Sequence, residues 1–166
     1  LSAITKVSME EKTAAVKKYY QKRRQFLQEQ EEQGEKVIYI NGKRRKTEKE
    51  AIRYLSRYKE FILSAAKELK VDKYLIGAIL IDEDLRRDWI DDWSDWLAIL
   101  GQDRSVGIAQ VKISTARDLI RREFYPADPS DRNISPQNID KVSGRYLYNY
   151  LNSPKHSIYF VAAKLK

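Results

Sequence analysis

The sequence predicts an all-α fold with a helical N-terminal extension and one small β-ribbon, on three observations. Apolar residues recur at three- and four-residue intervals over most of the 166 positions. Helix-starting residues stand ahead of these runs, with Ser8, Asp72 and Ser114 as capping candidates, Thr47-x-x-Glu50 as a capping box, and Ser-Pro pairs at 135–136 and 153–154. A strand-and-turn signature occurs at Val37-Ile38-Tyr39-Ile40 before Asn41-Gly42.

Taken in order, Ser8 and Glu11 form a capping box for a helix from about Met9 to Gln30, with Met9, Thr13, Val16, Tyr20 and Leu27 on its apolar positions. The ribbon follows at 36–46, and its returning arm, Lys43-Arg44-Arg45-Lys46, is wholly basic, so neither face of that arm is expected to be buried. A second long helix then runs from Thr47 to about Lys70 on the stripe Ala51, Leu55, Tyr58, Ile62, Ala65 and Leu69. Asp72 caps a third, apolar on every side from Tyr74 to Ile81 and therefore read as buried, which stops at Asp82-Glu83-Asp84. Trp89, Trp93, Trp96 and Leu100 share one face of a further helix, for which core packing is the favoured role, and 102–112 reads as a connection. Three more helices are expected: Thr115–Phe124 behind Ser114, then about 136–151 and 154–166 behind the two Ser-Pro pairs.

The composition narrows the chemistry. With no cysteine and one histidine, thiol catalysis, disulfides and multi-histidine metal cages fall away, so no metal and no cofactor are expected. No apolar run approaches the roughly 18–20 residues that a membrane span needs. The net charge of +8 is confined to one end: residues 1–70 hold 18 Lys and Arg against 10 Glu, whereas 71–166 hold 14 basic and 14 acidic side chains. This split suggests a basic helical extension at 1–70 and a separate working domain at 71–166, beside the plainer and favoured reading of a basic, solvated helical face. Lys43, Arg44, Arg45 and Lys46, with Lys17–Arg24 and interleaved Tyr19, Tyr20 and Tyr39, are candidates for contact with an anionic polymer.

Seven carboxylates crowd Asp82–Asp95, but the absence of glycine between Gly77 and Gly101 argues against a calcium loop. Glu83 differs from the others in directly following the most apolar stretch of the chain, a setting that suits a general acid, provided that the helix ends there or Arg86 and Arg87 point away. Downstream, Ser105-Val-Gly107-Ile-Ala-Gln110-Val-Lys-Ile-Ser-Thr115-Ala116 offers a glycine permitting close backbone approach and a glutamine suited to sugar hydroxyls and acetamido groups.

This segment resembles the S-x-G-x-x-Q-x-x-x-x-T-A signature of lytic transglycosylases and their goose-type lysozyme relatives, in which a catalytic Glu closing a buried helix precedes the motif. The resemblance covers about 70–166 and implies a lysozyme-like catalytic domain at 71–166. On it, Glu83 is the general acid/base, Ser105, Gly107 and Gln110 bind substrate, and Asp103 stands near the place of a goose-type supporting carboxylate, read equally as a loop cap. The sequence departs from the pattern at Asp84, where Ser is usual, at Ala109, where Met is usual, in the interposed helix 88–100, and in having no legible A-Y-N motif, for whose tyrosine Tyr146, Tyr148 and Tyr150 are candidate substitutes. The implied function is cleavage of bacterial or phage peptidoglycan strands between N-acetylmuramic acid and N-acetylglucosamine, in an extracytoplasmic setting with any export signal outside this chain. The rival reading is a non-catalytic basic module that binds nucleic acid or an anionic cell-wall polymer. His156 is read as structural.

Overall fold

The computed structural model describes residues 9–86, 105–126 and 131–166. The predicted Trp helix, Asp103 and the Ser8 cap lie outside these residues. The chain divides into two compact units, Leu1–Ala51 and Ile52–Lys166. This division by contacts falls inside a helix and differs in kind from the division by charge at residue 70.

In the first unit, α1 (Met9–Glu32) ends ahead of Gly34, whose φ is 84°. Strands β1 (Val37–Ile40) and β2 (Lys43–Thr47) form an antiparallel hairpin about Asn41 and Gly42, both left-handed at φ 51° and 71°, as a type I′ turn requires. The register shifts after Ile38, which pairs with Lys46, so that Tyr39 pairs with Arg44 and Arg45 is the extra, bulged residue. The basic arm is less exposed than its charge suggests. Arg44, Arg45 and Lys46 are half-buried and Thr47 is buried, because α1 packs on β2. Glu31 of α1 accepts hydrogen bonds from the Tyr39 hydroxyl at 2.7 Å and from Arg44 Nε at 2.9 Å. Arg23 makes a bidentate pair with Glu50 at 2.7 and 3.0 Å. The Thr47–Glu50 capping box forms reciprocally: Thr47 N donates to Glu50 Oε2 at 2.9 Å, and Glu50 N donates to Thr47 Oγ1 at 3.2 Å. It starts α2 (Glu48–Arg57).

The second long helix of the sequence reading is therefore two. Tyr58 breaks it, with φ −112° and ψ 8°, and α3 (Lys59–Leu69) follows. No Gly or Pro lies between 47 and 69 to announce the break. Asp72 Oδ1 then accepts from Tyr74 N at 2.8 Å at the start of α4 (Lys73–Arg86). Two expectations for α4 need correction. It continues past Glu83 to Arg86, and it is not buried all round: Ile76, Gly77, Leu80 and Leu85 face inward, whereas Tyr74 and Leu75 are 74% and 53% exposed.

The stretch read as a plain connection contains a second hairpin, β3 (Ser105–Val106) with β4 (Val111–Lys112), too short for periodicity to reveal. Helix α5 (Ile113–Arg121) starts earlier than predicted, with Lys112 and not Ser114 at its N-cap. The expected helix at 136–151 is a 3-10 turn (Ile139–Lys141) followed by α6 (Gly144–Asn152), whose N-cap Ser143 accepts from Tyr146 N at 3.2 Å. The interruption is stabilised from outside: the Arg117 guanidinium of α5 donates to the carbonyls of Ile139 and, at 2.6 Å, of Val142. After Ser153, Pro154 opens α7 (Pro154–Leu165).

The buried helix is α7. Seven consecutive residues, Ser157–Ala163, are buried, because α3, α4, α5, α6 and β4 all pack around it. Phe160 stacks on Tyr125 at 3.9 Å, and the Tyr159 hydroxyl meets Ser64 Oγ at 2.8 Å. Among the described residues no helix is long and apolar enough to cross a membrane, and no group of His, Cys, Asp and Glu could hold a metal ion.

Candidate active site

Four elements of the second unit surround one cavity of about 200 Å³. The last turns of α4 bring Ile79 and, four residues on, Glu83, so that both lie on one face of the helix. The β3–β4 hairpin brings Ser105, Ala109, Gln110, Val111 and Lys112, α5 brings Thr115, and α7 brings Val161 and Lys164. Glu83, Ser105, Gln110 and Thr115, singled out from two stretches more than 20 positions apart, thus line the same space.

The hairpin is held by backbone fit. Gly107 has φ +76°, and a Cβ there would stand 2.3 Å from the Leu151 carbonyl oxygen and 2.9 Å from Ser157 Oγ. Only glycine satisfies both conditions. The buried Ser157 hydroxyl accepts from Ala109 N at 3.1 Å, tying the turn to the first turn of α7. Gly107 does not line the cavity. It packs closely against the α6–α7 corner. Gln110 is left-handed at φ 47°, and its Nε2 donates to Gly107 O at 3.0 Å. This glutamine therefore both closes its own turn and faces the cavity, with one amide hydrogen already committed.

Glu83 is half-buried. The continuing helix places Arg86 close by, but its Nε donates to both oxygens of Asp82 at 2.8 Å, which engages the guanidinium with the neighbouring carboxylate. The condition that the helix end at Glu83 is not met, and Arg86, though bonded first of all to Asp82, is still near enough for the Glu83 charge to help raise its pKa. Tyr146 does not join the site: it donates to Asp131 Oδ2 at 2.8 Å and does not line the cavity. Tyr150 and His156 belong to a separate aromatic cluster, with their rings stacked at 3.7 Å and the Tyr125 hydroxyl 2.9 Å from His156 Nδ1 and 2.8 Å from the Tyr150 hydroxyl. Burial, above all, drives the Tyr125 phenol far above its ordinary value, so it stays protonated within this cluster.

Sequence reasoning missed Lys112 and Lys164, the two cations among the described lining residues. No linear spacing relates them to Glu83, since β4 and the end of α7 meet α4 only in the folded unit.

Compared with known proteins, the chain matches no family model, no curated protein and no solved structure.

Proposed function

We propose that this chain is a lysozyme-like peptidoglycan glycan-strand cleaver with Glu83 as general acid/base. The observation that supports the reading is the gathering of Glu83, Ser105, Gln110 and Thr115 around one cavity. At about 200 Å³ it falls below the roughly 300–1,000 Å³ typical of drug-sized sites, a size suited to one ring of a polymer.

In this proposal Glu83 donates its proton to the glycosidic oxygen as the bond from that oxygen to the muramic anomeric carbon breaks. The resulting carboxylate then takes the proton of the muramic 6-hydroxyl while that oxygen bonds to the anomeric carbon, which regenerates the acid and yields a 1,6-anhydro end without water. A hydrolase would need a second carboxylate to direct water or to form a covalent intermediate. The candidate for that second carboxylate, Asp103, lies outside the described residues, and the preference for the anhydro route rests on the family resemblance. Ser105 and Gln110 supply hydrogen bonds to hydroxyl and acetamido groups, and the exposed cations Lys43, Lys17, Lys18 and Lys22 attract an anionic wall polymer. Arg44 contributes less to that attraction, being paired with Glu31.

Mass spectrometry of products from purified peptidoglycan tests the proposal. Anhydromuramic ends that depend on Glu83 are expected. Reducing ends would turn the assignment to a muramidase, and no cleavage would leave the non-catalytic binding module as the better account.

A further inference from the structure

We infer that Lys112 and Lys164 form an anion subsite beside Glu83 that takes a carboxylate carried by the glycan next to the cleaved bond, an inference that rests on the glycan-cleaving reading of the same cavity.

Three observations carry it. First, both lysines line the cavity from exposed positions, and among the described residues neither makes a hydrogen bond or an ion pair. Second, the two lysines are not the by-product of a basic surface, because residues 71–166 hold 14 basic and 14 acidic side chains. Third, Lys112 is a poor choice for the fold. It occupies the N-cap of α5 without a side-chain capping bond, where Ser, Thr, Asp or Asn is favoured and the helix dipole opposes a cation. A residue that breaks a local rule is expected where function requires it. Lys164, in the last turn of α7, suits its helix and is brought to the same space by the packing of α7 on β4.

Ser105 and Gln110 address neutral groups, whereas two unpartnered ammonium groups address a negative one. On a peptidoglycan strand the carboxylate has two sources. One is the lactyl group of muramic acid when no peptide is attached. The other is the stem peptide when it is. A neutral N-acetylglucosamine polymer has neither.

The experiment measures binding by calorimetry to the full chain carrying Glu83→Gln, so that nothing turns over. Three tetrasaccharide probes are compared at low salt: peptide-free alternating N-acetylglucosamine and N-acetylmuramic acid, the same glycan with tripeptide stems, and neutral tetra-N-acetylglucosamine. At least one carboxylate-bearing probe is expected to bind about 3–10-fold tighter than the neutral one, with the advantage shrinking as salt rises. Whichever probe shows the advantage identifies the source of the carboxylate. Adding Lys112→Gln and Lys164→Gln should reduce the advantage to within about twofold, and Lys112→Arg with Lys164→Arg should restore it, separating loss of charge from loss of fold. Equal binding of all three probes, binding of none, or an advantage that survives the double Gln change overturns the subsite. Retained cleavage of sacculi by Glu83→Gln would overturn the catalytic reading instead, and the affinity comparison would still decide the subsite.

Discussion

Replacing Gly107 with Ala tests how the β3–β4 hairpin is held. The new methyl group would meet the Leu151 carbonyl oxygen at 2.3 Å and Ser157 Oγ at 2.9 Å, and the residue would have to keep φ at +76°. The left-handed backbone costs a non-glycine residue about 1–2 kcal/mol. Overpacking against a carbonyl that belongs to the end of α6 adds about 1–3 kcal/mol, because Leu151 is itself fully buried and cannot retreat freely. The smaller conformational entropy of the unfolded Ala chain offsets about 0.4–1 kcal/mol. The net loss is about 2–4 kcal/mol, a large part of the ~5–15 kcal/mol by which domains are stable. For a chain of this size it corresponds to a fall in Tm of roughly 4–16 °C. The assay is urea denaturation and calorimetry beside Gly144→Ala, a glycine with no atom within 4 Å of the added carbon and no positive φ, for which a change near zero or slightly stabilising is expected. If Gly107→Ala and Gly144→Ala differ by less than about 1 kcal/mol, the claim that the hairpin seats by glycine-specific contact is wrong.

Glu83→Gln should lower glycan cleavage by about 10²–10⁴-fold or more at unchanged thermal stability, since it removes only the transferable proton; activity within a few-fold of wild type ends the assignment. Arg117→Met should cost about 1.5–3 kcal/mol by leaving the Ile139 and Val142 carbonyls without their charged donor, and a urea midpoint that does not move would show that water replaces it. Glu50 provides a pH dependence: burial raises its pKa, but the Arg23 guanidinium and the Thr47 amide outweigh that effect and hold it below the ordinary 4.5. Its contribution is therefore fully present above about 4.5 and lost as pH falls through the lower folded value, so the stability gap between wild type and Glu50→Gln should shrink on acidification, and a pH-independent gap would refute the pairing. Replacing Lys43, Arg45 and Lys46 with Gln, while keeping Arg44 for its bond to Glu31, should weaken binding to anionic polymer and flatten its salt dependence; equal salt slopes would exclude the basic arm from that contact.

Local signals were legible wherever the chain satisfies its own backbone. The Thr47–Glu50 box, the Asn41-Gly42 turn, the Asp72 cap and the Pro154 start all depend on residues within a few positions, and each stands where the sequence placed it. Legibility failed where a distant group completes the bonding. The split at Tyr58 has no residue signature, and the unwound stretch before α6 is bonded by Arg117, 22 residues away from Ile139. Hydropathy misplaced the buried helix for the same reason. The run Tyr74–Ile81 is the more continuous apolar stretch, but burial depends on how many elements surround a helix, and α7 is the one surrounded.

For the candidate site, the sequence by itself determined residue types and their order: a carboxylate at the end of an apolar helix, then serine, glycine, glutamine and threonine at fixed spacing. Their convergence is a tertiary matter, as is the division of labour among them. Glycine and glutamine carry the same letters whether they face a ligand or close a turn. Only the approach of Leu151 and Ser157 shows how closely Gly107 is packed, and only the cavity brings in Lys112 and Lys164. Periodicity and capping act over one helical turn and can be read along the chain, whereas a cavity is a boundary between elements, and its lining is set by contacts among residues tens of positions apart.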